Sequence, residues 1–113
     1  MKDLINYSEF AKIEIRVGTI ISAELNDKLQ KPSMILKIDF GEKIGIRKSS
    51  AQLTKNYKSK QLIHKQIAAV INFPQKQIGT LISEVLVLGF PDNDGEPILI
   101  SPDHKVANGG KLY

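Results

Sequence analysis

The apolar and polar positions of this chain alternate over long stretches, and that alternation predicts a β-rich fold. Ile13, Ile15, Val17, Thr19, Ile21, Ala23 and Leu25 share one parity. Glu14, Arg16, Gly18, Ser22 and Glu24 share the other, with Ile20 the exception. A period of two sustained this long predicts an extended strand with the isoleucine-rich parity facing the core. At roughly 3.4 Å per residue it would run about 40 Å, so it must curl or break. Gly18 is the expected kink or bulge. Met34, Leu36, Ile38 and Phe40 alternate with Ile35, Lys37 and Asp39 as a second strand, after a polar connection over 26–33. Following the turn Gly41-Glu42-Lys43, residues 44–49 pair back as a third, ending at Arg47 and Lys48.

Two short runs, Ile67 to Ile71 and Val85 to Leu88, are apolar on both parities. Such runs are either strands buried on both faces or buried helix segments. Their β-branched residues and the flanking Gly and Pro favour strands. Between the third strand and Ile67, residues 50–57 and 59–64 have helical spacing, predicting one or two short helices that plug an open end of the sheet. One helical turn is expected at 7–12, capped by Asn6 or Ser8. Asp94-Gly95 predicts a tight turn before a short sixth strand at 98–100, whose flanking Pro97 and Pro102 suit an edge. Gly109-Gly110 permits a sharp reversal before the apolar end Leu112-Tyr113. Five strands, the first long, with a short helix between the third and fourth, form the pattern of an all-β OB-fold barrel. The 113 residues suit one domain, 1–113.

Charge sharpens the picture. Sixteen Lys and Arg against twelve Asp and Glu give +4. The 41 residues from Lys43 to Ser83 contain no acid and eight bases: Lys43, Arg47, Lys48, Lys55, Lys58, Lys60, Lys65 and Lys76. The remainder is net acidic. Segregation of this kind attracts polyanions, although a solvated lysine-rich surface has the same composition. The connector from Asn72 to Glu84 joins two core strands and combines amides, a lysine and exposed apolar residues, which marks it as a binding loop.

The chemistry expected is binding. With no cysteine, thiolate metal sites and cysteine nucleophiles are excluded, and a cytoplasmic setting fits. The N-terminal residues lack the apolar core of a signal peptide. His64 and His104 are isolated, and Ser49-Ser50 has no neighbouring base. The Asp92-Asn93-Asp94-Gly95 run places Pro97 where a calcium loop needs glycine. No catalytic residue, metal or cofactor is expected.

The sequence resembles the CsaA family along essentially its whole length. The resemblance rests on Ile15-Arg16-Val17-Gly18-Thr19-Ile20, Lys48-Ser49-Ser50-Ala51-Gln52-Leu53-Thr54-Lys55, Val70-Ile71-Asn72-Phe73-Pro74, Ser83-Glu84-Val85-Leu86-Val87-Leu88-Gly89 and Asn108-Gly109-Gly110-Lys111-Leu112, in this order. It implies an OB-fold built on the tRNA-binding domain appended to methionyl-tRNA synthetases, terminal extensions that form a two-fold homodimer, and an export-related chaperone role. Dedicated tRNA binders of the group carry a Ser-x-Gly-Met segment where this chain has Ser83-Glu84-Val85-Leu86.

Two ligand classes follow. For tRNA or another structured RNA, Arg47, Lys48, Lys55 and Lys76 are expected to neutralise phosphates, with Lys58, Lys60 and Lys65 as outer attraction. Asn72, Gln77 and Ser83 are expected to hydrogen-bond sugars or bases. Only Phe73 and Tyr57 could stack on bases, so recognition would be led by shape and charge. For unfolded or precursor polypeptides, Phe73, Pro74, Ile78, Leu81 and Ile82 would form an apolar groove with Met34 and Ile35 as its wall. The same apolar residues could instead close the barrel or the dimer.

Overall fold

The structure is a computed structural model that describes residues 2–27 and 31–113. The middle of the polar connection read over 26–33 lies outside them. Strands β1 (Ile15–Asn26), β2 (Ser33–Asp39), β3 (Ile46–Ala51), β4 (Gln66–Val70) and β7 (Leu86–Val87) form one antiparallel sheet in the order β3-β2-β1-β4-β7. The sheet curls until its two edges meet. Ser49 Oγ donates to Val85 O at 3.0 Å, and Ser50 N–H donates to Ser83 Oγ at 3.1 Å. This is the expected OB-like arrangement. The short helix α2 (Ser59–Leu62) lies between β3 and β4 and inserts Leu62 into the core. The segment read as helical from Ser50 is instead strand up to Ala51 followed by a turn.

The core is built from Ile20, Met34, Leu36, Ile38, Phe40, Leu53, Leu62, Ile67, Ala69 and Val85. β2 obeys its alternation: Met34, Leu36 and Ile38 point inward, while Ile35 and Lys37 point outward. Met34 is therefore barrel core, only 2% exposed, and not a groove wall. β1 reverses the expected parity. Ile20 is buried opposite Ile38, and Gly18 faces inward because the Phe40 ring occupies the space a side chain would need. A Cβ on Gly18 would lie 2.7 Å from Ile38 Cγ2 and 2.8 Å from Phe40 Cδ1. The irregularity in the β1–β2 register falls between Ile20 and Ser22, not at Gly18.

Ile15 and Val17 consequently face outward, where the C-terminal segment meets them. Gly109 N–H donates to Val17 O, Val17 N–H to Gly110 O, and Leu112 N–H to Ile15 O, so the tail pairs along β1. Gly109 needs its freedom here: its φ is +92°, and a Cβ would sit 2.5 Å from Phe40 O. The tail and β1 enclose an apolar cleft of about 440 Å³ lined by Ile15, Val17, Ala68, Ile100, Pro102, Val106 and Leu112, with Arg16 and Lys111 among its walls. At the other terminus, α1 (Tyr7–Ala11) is capped reciprocally. Glu9 N–H donates to Asn6 Oδ1 at 2.9 Å, and Asn6 N–H donates to Glu9 Oε1 at 3.1 Å.

The connector from Asn72 to Glu84 is itself a hairpin, β5 (Lys76–Ile78) and β6 (Leu81–Ser83). Gly79, at φ +61°, lies in its turn. A second hairpin, β8 (Gly89–Pro91) with β9 (Pro97–Leu99), contains the sixth strand. Its Asp92 carboxylate accepts from Asn56 Nδ2 and from the N–H groups of Asp94 and Glu96, which hold that carboxyl below its usual range. No helix among the described residues is long and apolar enough to cross a membrane.

Candidate nucleic-acid interface

The outer face of β2 and β3 carries Ile35, Lys37 and Asp39 opposite Ser50, Lys48 and Ile46. Lys37 and Lys48 are directly paired, so two ammonium groups share one side of the sheet. Like charges placed opposite each other destabilise a ladder unless an anion offsets them. Neither lysine forms an ion pair among the described residues.

The β5–β6 hairpin leans over the end of this face. Lys48 N–H donates to Glu84 Oε1 at 3.0 Å, and Glu84 N–H donates to Lys48 O at 2.8 Å. Between hairpin and face lies a cleft of about 210 Å³ lined by Ser50, Phe73, Pro74, Lys76, Ile78, Ser83, Glu84, Val85 and Leu86. Phe73 is 51% exposed and Leu86 is 47% exposed, so the cleft offers apolar contact beside an exposed ammonium group on Lys76. The face of strands 2 and 3 with the loop between strands 4 and 5 is the customary oligonucleotide surface of an OB barrel.

The structure separates the residues expected to act together. Lys48, Lys76 and Ile35 lie on or beside this face; Phe73, Pro74 and Ile78 line the cleft. Ser83 also lines it, but is buried, with its Oγ accepting from Ser50 N–H. Asn72 is engaged elsewhere, with its Oδ1 accepting from Glu14 N–H at 2.9 Å and its Nδ2 donating to Lys12 O at 2.7 Å. That amide ties the segment after α1 to the end of β4. Gln77 Nε2 donates to Gly79 O within the hairpin turn. Arg47 is half-buried, with Nε donating to Ile44 O at 3.3 Å. Lys55 lies 4.0 Å from the Glu96 carboxylate, beside the β8–β9 hairpin. Leu81 and Ile82 sit on β6 outside the cleft lining, Leu81 opposite Ile78 and Ile82 opposite Gln77. Tyr57 is half-buried and accepts from Leu99 N–H through its hydroxyl, which ties it to β9.

Lys37 was not among the expected contacts because it lies outside the acid-free window, between Glu24 and Asp39 in sequence. The signal was its parity, opposite to Leu36 and Ile38. The eight bases of that window do not share one face either. Lys48 lies on the β2–β3 face and Lys76 lines the cleft beside it, whereas Lys65 leads into β4, across β1 from β2 and β3.

A family model described as "Putative tRNA binding domain" matches residues 15–111. Among solved structures, the chaperone CsaA of Bacillus anthracis is 40% identical with a TM-score of 0.91, covering 98% of this chain and 100% of that one. The CsaA chaperone protein of Picrophilus torridus is 49% identical with a TM-score of 0.89, covering 97% of this chain and 100% of that one. A methionine–tRNA ligase of Methanococcoides burtonii is 36% identical over 112 residues, 99% of this chain and 16% of the ligase. The chain thus spans about 15% of the length of the ligases it matches.

Proposed function

The chain belongs to the tRNA-binding-domain family, with CsaA proteins as structural neighbours, and from that premise we propose that it binds tRNA or another structured RNA through the outer face of β2 and β3 and the β5–β6 hairpin, without catalysis. The observation that carries this reading is the facing Lys37–Lys48 couple, without an ion pair among the described residues, beside the Lys76 cleft. Arg47 and Lys55 contribute longer-range attraction from the flanks. The ligases share only this segment with the chain, so the activity transferred is binding.

Recognition rests on phosphates and shape. Phe73 is the one aromatic side chain in the cleft, so sequence discrimination by stacking is weak and binding falls steeply with salt. The test is binding of bulk tRNA at two salt concentrations by the wild-type protein and by Lys48→Glu/Lys76→Glu. Loss of most affinity with salt and with the double reversal supports the reading. Negligible tRNA affinity of the wild type at low salt ends it.

A second reading concerns unfolded polypeptides, favoured by Phe73, Pro74, Ile78 and Leu86 in the same cleft and by the CsaA chaperones as neighbours. An apolar client segment would bury against them while Lys76 selects acidic flanks. Suppression of a denatured protein's aggregation that survives the charge reversals and is lost in Phe73→Ala distinguishes this activity. The reading includes a cytoplasmic homodimer in which a second copy covers the apolar cleft of β1 and the tail. Leu4 and Ile5, fully and largely exposed, leave further apolar surface at the N-terminus.

A further inference from the structure

A polar cleft of about 390 Å³ opens on the side of β1 that carries β4, away from the β2–β3 face. It is lined by Thr19, His64, Lys65, Gln66, Ser101, Pro102 and Lys105, and none of these is acidic. We propose that this cleft is a second phosphate-binding site, which takes a separate backbone segment of the same folded RNA. The inference rests on the RNA reading above and extends it to the opposite flank of the barrel.

The convergence of the two lysines is built by the fold. Gln66 grips the backbone of Val106 at both ends of its amide: Oε1 accepts from Val106 N–H at 3.0 Å, and Nε2 donates to Val106 O at 2.7 Å. Lys65 and Lys105 each precede one partner of that clamp, so the clamp carries both into one concavity. Asn108 Oδ1 braces the floor by accepting from Thr19 Oγ1 at 2.8 Å and Gln66 Nε2 at 3.1 Å. On the far wall, His64 N–H donates to Ile20 O at 2.8 Å and Ile20 N–H donates to Lys65 O at 2.9 Å. These bonds hold His64 at φ +77°, the one non-glycine positive φ among the described residues. Residues kept in that region by their surroundings concentrate at binding sites.

The electrostatics point to an anion. Neither Lys65 nor Lys105 has an ion pair among the described residues. The neighbouring Asp103 has its side chain almost wholly in solvent and lies outside the lining. Asp39, across the ladder from Thr19, accepts from Gly41 N–H. Two lysines brought to one concave cleft with no carboxylate in its lining focus positive potential that an anion offsets. The Ser101 hydroxyl adds a donor for a phosphate oxygen. The two cationic sites lie on opposite sides of β1. A folded RNA that wraps the barrel can touch both, whereas a short strand held on the β2–β3 face touches the first.

The experiment compares Lys65→Glu/Lys105→Glu and the milder Lys65→Gln/Lys105→Gln with Lys48→Glu/Lys76→Glu, each against folded tRNA and a single-stranded RNA dodecamer over a salt series. The Lys65/Lys105 reversal is expected to weaken tRNA binding at least tenfold at low salt and to lower the slope of log K against log salt by about 1.5. The Gln pair shifts both in the same direction by less, and dodecamer binding stays unchanged in both. If tRNA affinity and slope are unchanged in both Lys65/Lys105 variants while the Lys48/Lys76 reversal loses affinity, the second site is refuted and the RNA reading stands. If wild-type tRNA binding is negligible at low salt, both fall. Inorganic phosphate provides the third arm. Amide shifts at 64, 65 and 105 on phosphate addition, without any effect of the variants on tRNA, would make this a small-phosphate site and overturn the assignment to RNA.

Discussion

Lys48 and Glu84 hold each other by their backbones and one carboxylate, at 3.0 Å and 2.8 Å, and this pair fixes the β5–β6 hairpin against β3. The acidic group beside a proposed RNA path is therefore a structural acceptor for Lys48 N–H, and its charge is partly offset by that donor. Glu84→Ala removes the carboxylate acceptor and leaves the hairpin held by the bond from residue 84 N–H to Lys48 O, by Ser83 and by Val85. The expected loss is about 1 kcal/mol of stability, read by denaturant unfolding, together with faster amide exchange at Lys48 and across 76–83. Glu84→Gln keeps an acceptor and should restore most of the protection. Equal exchange in wild type and Glu84→Ala would show that the pair does not anchor the hairpin.

Charge at the cleft separates from stability. Lys37→Ala removes one of two facing ammonium groups with no ion pair to lose, so stability should hold or rise by a few tenths of a kcal/mol. RNA binding should weaken at every sequence tested, with the salt slope falling by about 0.7–0.9. A filter-binding or fluorescence titration over salt reads both. An unchanged slope would place Lys37 outside the RNA path.

Much of the barrel was legible in the sequence because β2, β4 and α2 follow simple rules. Leu36 and Ile38 alternate inward, Ile67 and Ala69 are core, and Leu62 plugs the open end. β1 misled because its inward parity is marked only by Gly18 and Ile20, while the more apolar parity, with Ile15 and Val17, meets a second surface. Ile20 and Gly18 face Phe40 and Ile38, while Ile15 and Val17 face the tail; no local pattern states that a tail a hundred residues away will pair there. The candidate site was legible in part. Lys76 and Phe73 share the cleft beside the strand that carries Lys48, whereas Asn72 is absorbed by the chain at Lys12 and Glu14, a contact separated by about sixty residues that spacing cannot reveal. Lys37 escaped notice because a window chosen by net charge began after it.

Gly18 tests the packing argument directly. Gly18→Ala places a methyl group within 2.9 Å of the Phe40 ring and of Ile38, both fully enclosed by the core. Neither can retreat without opening the β1–β2 ladder. Overpacking of this kind costs about 1–3 kcal/mol, which thermal or urea unfolding reads. Gly18→Ala/Phe40→Leu should recover part of the loss by vacating the space. A stability equal to wild type in the single variant would contradict the contact.

The proposed homodimer predicts an oligomeric change without a change of fold. Val106 and Leu112 are nearly half exposed along the apolar cleft, and their side chains are not part of the barrel core. Val106→Glu/Leu112→Glu puts two carboxylates where a second copy would sit, and an uncompensated buried charge is costly. Gel filtration with light scattering should move from dimer to monomer mass at micromolar concentration, with the circular dichroism spectrum unchanged. A wild-type protein that is already monomeric at that concentration refutes the dimer.

Glu14 gives the chain a defined acid response. Its carboxylate meets Arg16 at 2.7 Å and Lys111 at 2.7 Å, and Lys111 also donates to Ala11 O, so one acid joins the start of β1 to the tail and to α1. The hydrogen bonds from Arg16, then Lys111, lower the Glu14 pKa from 4.5 to about 2. A carboxyl with a depressed folded-state pKa stabilises the fold above its ordinary pKa, and that contribution is lost as pH falls through the folded value. The Glu14 contribution to holding the tail should therefore be full at neutral pH, weaken from about pH 4.5 downward, and be lost once pH passes below about 2, while the backbone bonds to Ile15 and Val17 remain. Glu14→Gln should lower the Tm at pH 7 and expose 109–113 to faster amide exchange. The gap in Tm between wild type and variant should then close as pH falls toward 2. A gap that is the same at both ends of that range would mean that the Glu14 charge contributes nothing to holding the tail.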